Sequence, residues 1–157
     1  MLRTLSFFIA ALLVSAGLPA QPPRVGMQIQ GGQILESQPA GTIPWELLQQ
    51  AKTVQKPNKK FGPEFTKEIK QLDKQSVKLY GFMMPLDQSA KQKRFLLASF
   101  PPHCSFCLPG GPESMVEVIA DKPIDFTYEP IIIAGKMAVL ENDVVYYRLT
   151  NATAVQP

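Results

Sequence analysis

Val77-Lys78-Leu79-Tyr80-Gly81-Phe82-Met83-Met84-Pro85 (residues 77–85) decides the fold. Val77, Leu79, Gly81 and Met83 alternate with Lys78, Tyr80, Phe82 and Met84, a period of two that belongs to a strand with two unlike faces. Pro85 ends it, because proline removes a ladder donor. Toward the C-terminus the same grammar recurs in Phe95–Phe100, Met115–Ala120, Ile131–Leu140 and Val144–Leu149, the last able to run on to Val155. Gly135 inside the fourth run marks an expected kink or bulge. Five strands, some bent at glycine, predict a mainly β protein: a small five-stranded OB-like barrel with one or two short N-terminal helices. A β-sandwich is the second choice and wants about seven strands. The expected core includes Val77, Leu79, Phe95, Leu97, Val116, Val118, Ile132 and Val139.

Toward the N-terminus the period changes to that of helices. Pro44–Lys52 reads as a short helix, with Thr42 near its cap and Trp45 as a packing anchor. Pro63–Leu72 reads as a second helix, with Phe65, Ile69 and Leu72 at helical spacing. Residues 53–60, polar and basic, read as a linker. Residues 21–43 are rich in Gln, Gly and Pro, hold few apolar anchors, and read as a flexible segment.

Residues 1–20 have the layout of a cleaved secretory signal. Arg3 supplies the charge, Leu5–Val14 the apolar run, and Leu18-Pro19-Ala20 the small-residue exit. The expected organisation is therefore signal peptide 1–20, mobile segment 21–43 and barrel domain 44–157, with a periplasmic location. No later stretch is long enough to span a bilayer. Cleavage at that point leaves fifteen Lys and Arg against thirteen acids, too small an excess to argue for nucleic acid. The 15 prolines are about twice the usual share and argue against a helical bundle.

Chemistry is concentrated in Pro101-Pro102-His103-Cys104-Ser105-Phe106-Cys107-Leu108-Pro109-Gly110-Gly111-Pro112-Glu113-Ser114-Met115-Val116-Glu117-Val118. The chain's two cysteines stand three residues apart, and its one histidine immediately precedes them. Thiolate and imidazole suit zinc or copper, and a carboxylate completes a four-ligand zinc site. The candidate metal ligands are Cys104, Cys107, Glu113, His103 and Glu117. If residues 114–118 are extended, Glu113, Met115 and Glu117 share a face opposite Val116 and Val118. Gly110-Gly111-Pro112 is able to turn Glu113 back toward the sulfurs.

Alternatives stay open. Covalent haem wants the histidine after the pair, and a thioredoxin-like centre wants a helix after it. A local disulfide that only shapes the loop fits the spacing, although so small a ring adds little stability. Met83 and Met84 are soft donors for Cu(I), but neighbours in a strand point oppositely, so at most one serves a common site. Lys91, Lys93 and Arg94 read as a solvated hairpin loop. With one histidine and no glycine-rich phosphate loop before a helix, nothing supports an enzyme.

Trp45-Glu46-Leu47-Leu48, Gly81-Phe82-Met83-Met84-Pro85-Leu86, Phe95-Leu96-Leu97, Cys104-Ser105-Phe106-Cys107 with Gly111-Pro112-Glu113 and Glu117-Val118, and the closing Tyr147-Arg148-Leu149 strand resemble an uncharacterised family of bacterial periplasmic proteins, a domain of unknown function. The likeness covers roughly residues 44–156. Many relatives carry a different loop at the cysteines, with a Cys followed by His and prolines. The resemblance implies an OB-like barrel and metal handling outside the cytoplasm. Some members are encoded beside zinc-uptake or MacB-like ABC transporters, which implies envelope transporter components as partners. The expected function is a periplasmic metal-binding accessory protein for zinc or copper. The alternatives are a non-catalytic interaction module with a structural cysteine pair, or a thiol–disulfide redox protein.

Overall fold

The computed structural model describes residues 38–57, 59–101, 110–141 and 143–156. In chain order the elements are α1 (Trp45–Leu48), β1 (Lys52–Gln55), β2 (Phe61–Glu64), α2 (Lys67–Gln71), β3 (Ser76–Pro85), β4 (Lys91–Ala98), a 3₁₀ turn (Pro112–Ser114), β5 (Met115–Asp125), β6 (Ile131–Val139) and β7 (Tyr147–Val155). The last five strands close into a barrel in the order β3-β4-β5-β7-β6. All neighbours are antiparallel except β5 and β7, whose parallel register sets Val118 beside Leu149. The protein is a small OB-like β-barrel with two short helices on one side.

The barrel fills with the inward half of each alternation. Leu79, Phe95, Leu97, Val116 and Val118 are fully buried, and Val77 and Val139 pack against them. On β6 Ile132 is buried, as expected, but it is Ile133 that joins the central cluster, because Leu79 pairs with Ile133 and carries it inward. The run Ile131-Ile132-Ile133 has no phase of its own. Gly135 lies at the irregularity between Ala134 and Lys136 that bends β6 against β7. A Cβ there would stand 3.1 Å from the Thr150 carbonyl oxygen.

Both helices are shorter than their periodicity predicts. α1 starts from Pro44, whose extended backbone occupies the cap position without a side-chain bond, while the Thr42 hydroxyl donates to the Pro39 carbonyl. Lys52 leaves the helix to begin β1. α2 starts only after Thr66, whose hydroxyl accepts the Ile69 N–H at 3.3 Å. The segments read as a linker and as a first helical turn pair with each other instead, Thr53 opposite Pro63 and Gln55 opposite Phe61. Val144-Val145-Tyr146 is not strand. Tyr146 and Tyr147 are consecutive and both buried, which a regular strand over one core cannot achieve, so β7 begins at Tyr147.

Lys91, Lys93 and Arg94 are also corrected: they lie within β4, Lys91 and Lys93 flanking the buried Gln92 and Arg94 following at a shift in the register with β5. Gln92 donates to the Ser89 carbonyl at 2.6 Å and to the Asp87 carboxylate at 3.0 Å, which ties the β3–β4 turn to the strand.

Candidate functional site

His103, Cys104 and Cys107 lie outside the described residues; the foot of the segment that carries them is described on both sides. β4 ends with Ala98 opposite Met115, and one residue further the Ser99 N–H bonds the Ser114 carbonyl at 3.2 Å. The cysteine segment therefore connects β4 to β5. On its returning side Gly110 has φ +93°, where only glycine is at ease, and a Cβ would meet Ser114 Oγ at 3.1 Å and the Phe100 ring at 3.2 Å. Pro112 starts the 3₁₀ turn, which the Ser114 N–H closes on the Gly111 carbonyl at 2.9 Å. The turn folds Glu113 back over Gly111, its carboxylate 2.4 Å from where a Gly111 Cβ would stand. The Gly-Gly-Pro turn thus brings the Glu113 carboxylate back over Gly111. Among the described residues no hydrogen-bond donor engages it.

Helix α1 braces this foot. Where the chain departs from β4, the first half of β3 loses its β4 partner on that edge. The Ile43 N–H and the Trp45 indole N–H donate there to the Lys78 and Tyr80 carbonyls at 2.8 and 2.7 Å. Gln49 donates to Ser114 Oγ at 3.3 Å, and the Tyr147 hydroxyl donates to the Leu48 carbonyl at 2.7 Å. Burial pushes the Tyr147 phenol well above its ordinary value, and the nearby Glu113 carboxylate and Tyr146 add to the rise. Gly81 is the close approach that permits this junction, since a Cβ would lie 2.6 Å from the Ala98 carbonyl oxygen.

Glu117 points off the core, as the alternation predicts, but it does not turn to the loop. Its side chain is 3% exposed, and Arg94 donates to Oε1 from Nε at 2.6 Å and from Nη2 at 2.5 Å. Arg148 Nε donates to Oε2 and Arg148 Nη2 to Asp143 at 3.0 Å. Burial alone would raise the Glu117 carboxyl, yet the bonds from Arg148 and Arg94 and their charges hold it below the usual range. With both oxygens committed to guanidinium groups, Glu117 clamps β4, β5 and β7 together. Strand alternation predicts its outward face; its partners come from distant strands that sequence does not align.

The two adjacent methionines separate as expected. Met83 is in the core, and Met84 lies on the outer face in a small cluster with Leu96 and Met115. Met115 adds a second thioether near the foot of the loop, which sequence reading treated only as a strand residue. Among the described residues no three His, Cys, Asp or Glu side chains come together as a metal group, and no helix is long and apolar enough to cross a membrane.

An OB-like barrel with a braced β4–β5 loop is the class these features define. The family described as "Protein of unknown function (DUF3299)" matches residues 32–153, and the chain belongs to that family. It is similar to a DUF3299 family protein of Pseudomonas aeruginosa PAO1 known from a crystal structure: 23% identity over 76% of this chain and 91% of that one, with a TM-score of 0.49. No curated protein matches the chain.

Proposed function

We propose that the protein is an exported, periplasmic metal-binding accessory protein that handles zinc or copper for an envelope transporter. Cys104 and Cys107 are the thiolate ligands, and His103 and Glu113 complete the set. Glu117, bound on both oxygens by arginine, is left out of it. The observation that carries the reading is Glu113: its carboxylate is folded over Gly111 at the foot of the cysteine loop, on a turn locked at both ends. Four donors of the sulfur, nitrogen and oxygen types zinc accepts then occur within eleven residues, 103 to 113. The same thiolates suit Cu(I), for which Met84 or Met115 is a further soft donor.

Binding falls as pH drops, since protons compete for thiolate and imidazole. Titration calorimetry of reduced protein with Zn(II), and competition with Cu(I), tests the reading. Cys104→Ser and Cys107→Ser each remove most of the affinity, and Glu113→Gln weakens it less. If the wild type binds neither ion more tightly than the double-serine variant, the pair is structural and the protein is an interaction module.

A further inference from the structure

We propose that the β1–β2 hairpin is a docking tip for an anionic phospholipid surface. Residues 52–64 hold four lysines against one glutamate, a net charge of +3, the same excess as the whole 157-residue chain. Without residues 1–20 the chain carries +2, so the positive excess lies in this one hairpin and the remainder is slightly acidic, at −1. Phe61 stands among these cations and is 73% exposed, although it is the kind of side chain that folding buries.

The tip is formed in advance. The Lys56 N–H bonds the Lys60 carbonyl at 2.8 Å and the Lys59 N–H the Lys56 carbonyl at 2.9 Å, which closes the turn. Lys56 Nζ donates to the Pro63 carbonyl at 2.7 Å and lays its stem over Gly62, while Lys59 and Lys60 are exposed. At the other end, Thr53 and Tyr146 share a hydroxyl–hydroxyl bond that ties the hairpin to the barrel.

Shape separates the partners. A stable protein interface has a core depleted in lysine, and this tip is four lysines around a single ring. Single-stranded nucleic acid wants several stacked aromatics along a groove, and here there is one. A charged lipid surface takes a convex tip as it is: lysines meet the headgroups and the aromatic ring enters the interface. The inference concerns a different surface from the cysteine loop and stands or falls apart from metal binding.

Co-sedimentation with vesicles tests it, using the chain from residue 21, which keeps every described element. The probes are vesicles of phosphatidylcholine with about one-third phosphatidylglycerol, and vesicles of phosphatidylcholine alone. The protein sediments with the first and not the second, and about 1 M salt releases it. Each lysine near the surface contributes about fivefold, so Lys59→Glu with Lys60→Glu weakens binding by at least about twenty-five-fold. Lys59→Gln with Lys60→Gln has an intermediate effect, and Phe61→Ala weakens binding without altering the salt dependence. Equal binding to neutral vesicles, or charge-reversed protein that binds as the wild type does, overturns the proposal. So does tighter hairpin-dependent binding to polyglutamate or to a single-stranded oligonucleotide than to the vesicles.

Discussion

Replacing Glu117 with Gln tests how the barrel is held shut on its parallel seam. The substitution keeps the shape of the side chain and removes the charge that two guanidinium groups share. An amide nitrogen then faces at least one arginine, donor against donor. Removing one partner of a buried ion pair costs about 3–5 kcal/mol. Arg94 is 67% exposed and takes its charge back to water, whereas Arg148, at 27%, keeps only Asp143. The expected loss is therefore below that range, about 2–3 kcal/mol, or about 1–2 M in the urea midpoint for an m-value of about 1.5 kcal/mol/M. Arg94→Ala costs about 0–1 kcal/mol as an exposed member, and Arg148→Ala costs more. Glu117 titrates low in the folded chain, so its stabilisation is complete above the unfolded glutamate value of about 4.3 and is lost as pH falls through the folded value. The gap between wild type and Glu117→Gln accordingly narrows toward pH 3. Urea unfolding at neutral and acid pH measures all of this. A variant within about 0.5 kcal/mol of wild type at pH 7, or a gap that widens in acid, refutes the clamp.

Gly81→Ala forces a Cβ to 2.6 Å from the Ala98 carbonyl oxygen, a backbone atom that cannot turn aside. It costs about 1–3 kcal/mol as an overpacked contact, read as a fall in the thermal midpoint. Tyr147→Phe removes the bond to the Leu48 carbonyl, which keeps the Ala51 N–H as a donor, at a cost of about 0.5–1.5 kcal/mol. Because this bond holds α1 over the foot of the loop, faster amide exchange confined to α1 and the Pro112–Ser114 turn accompanies the loss. Exchange unchanged there would show that Ile43, Trp45 and Gln49 hold α1 without it.

The barrel was legible because its strands alternate. Val77 to Met83, Phe95 with Leu97, and Val116 with Val118 carry their own phase. Phase disappears where apolar residues run together: Ile132 is buried as expected, yet pairing with Leu79 selects Ile133 for the central cluster. The β1–β2 hairpin was not legible. Its eight strand residues include two charges, a proline and a glycine, and only pairing with each other makes them strand. Lys91, Lys93 and Arg94 looked like a loop because charge was read as turn chemistry, yet a barrel strand takes charge on its exposed face, and a register shift exposes Lys93 and Arg94 together. At the candidate site, Glu113 was readable from Gly-Gly-Pro, a local device. The arginines that hold Glu117 were not, since Arg94 and Arg148 reach it from strands 23 and 31 residues away.

Native mass spectrometry of the protein as isolated from the periplasm of expressing cells tests the central claim most directly. One spectrum reports the N-terminus, bound metal and any disulfide. The account predicts a chain that begins near Gln21 and carries one zinc or copper ion, with the ion lost from the Cys104→Ser, Cys107→Ser variant. A metal-free chain two hydrogens lighter, its cysteines joined to each other, would contradict it.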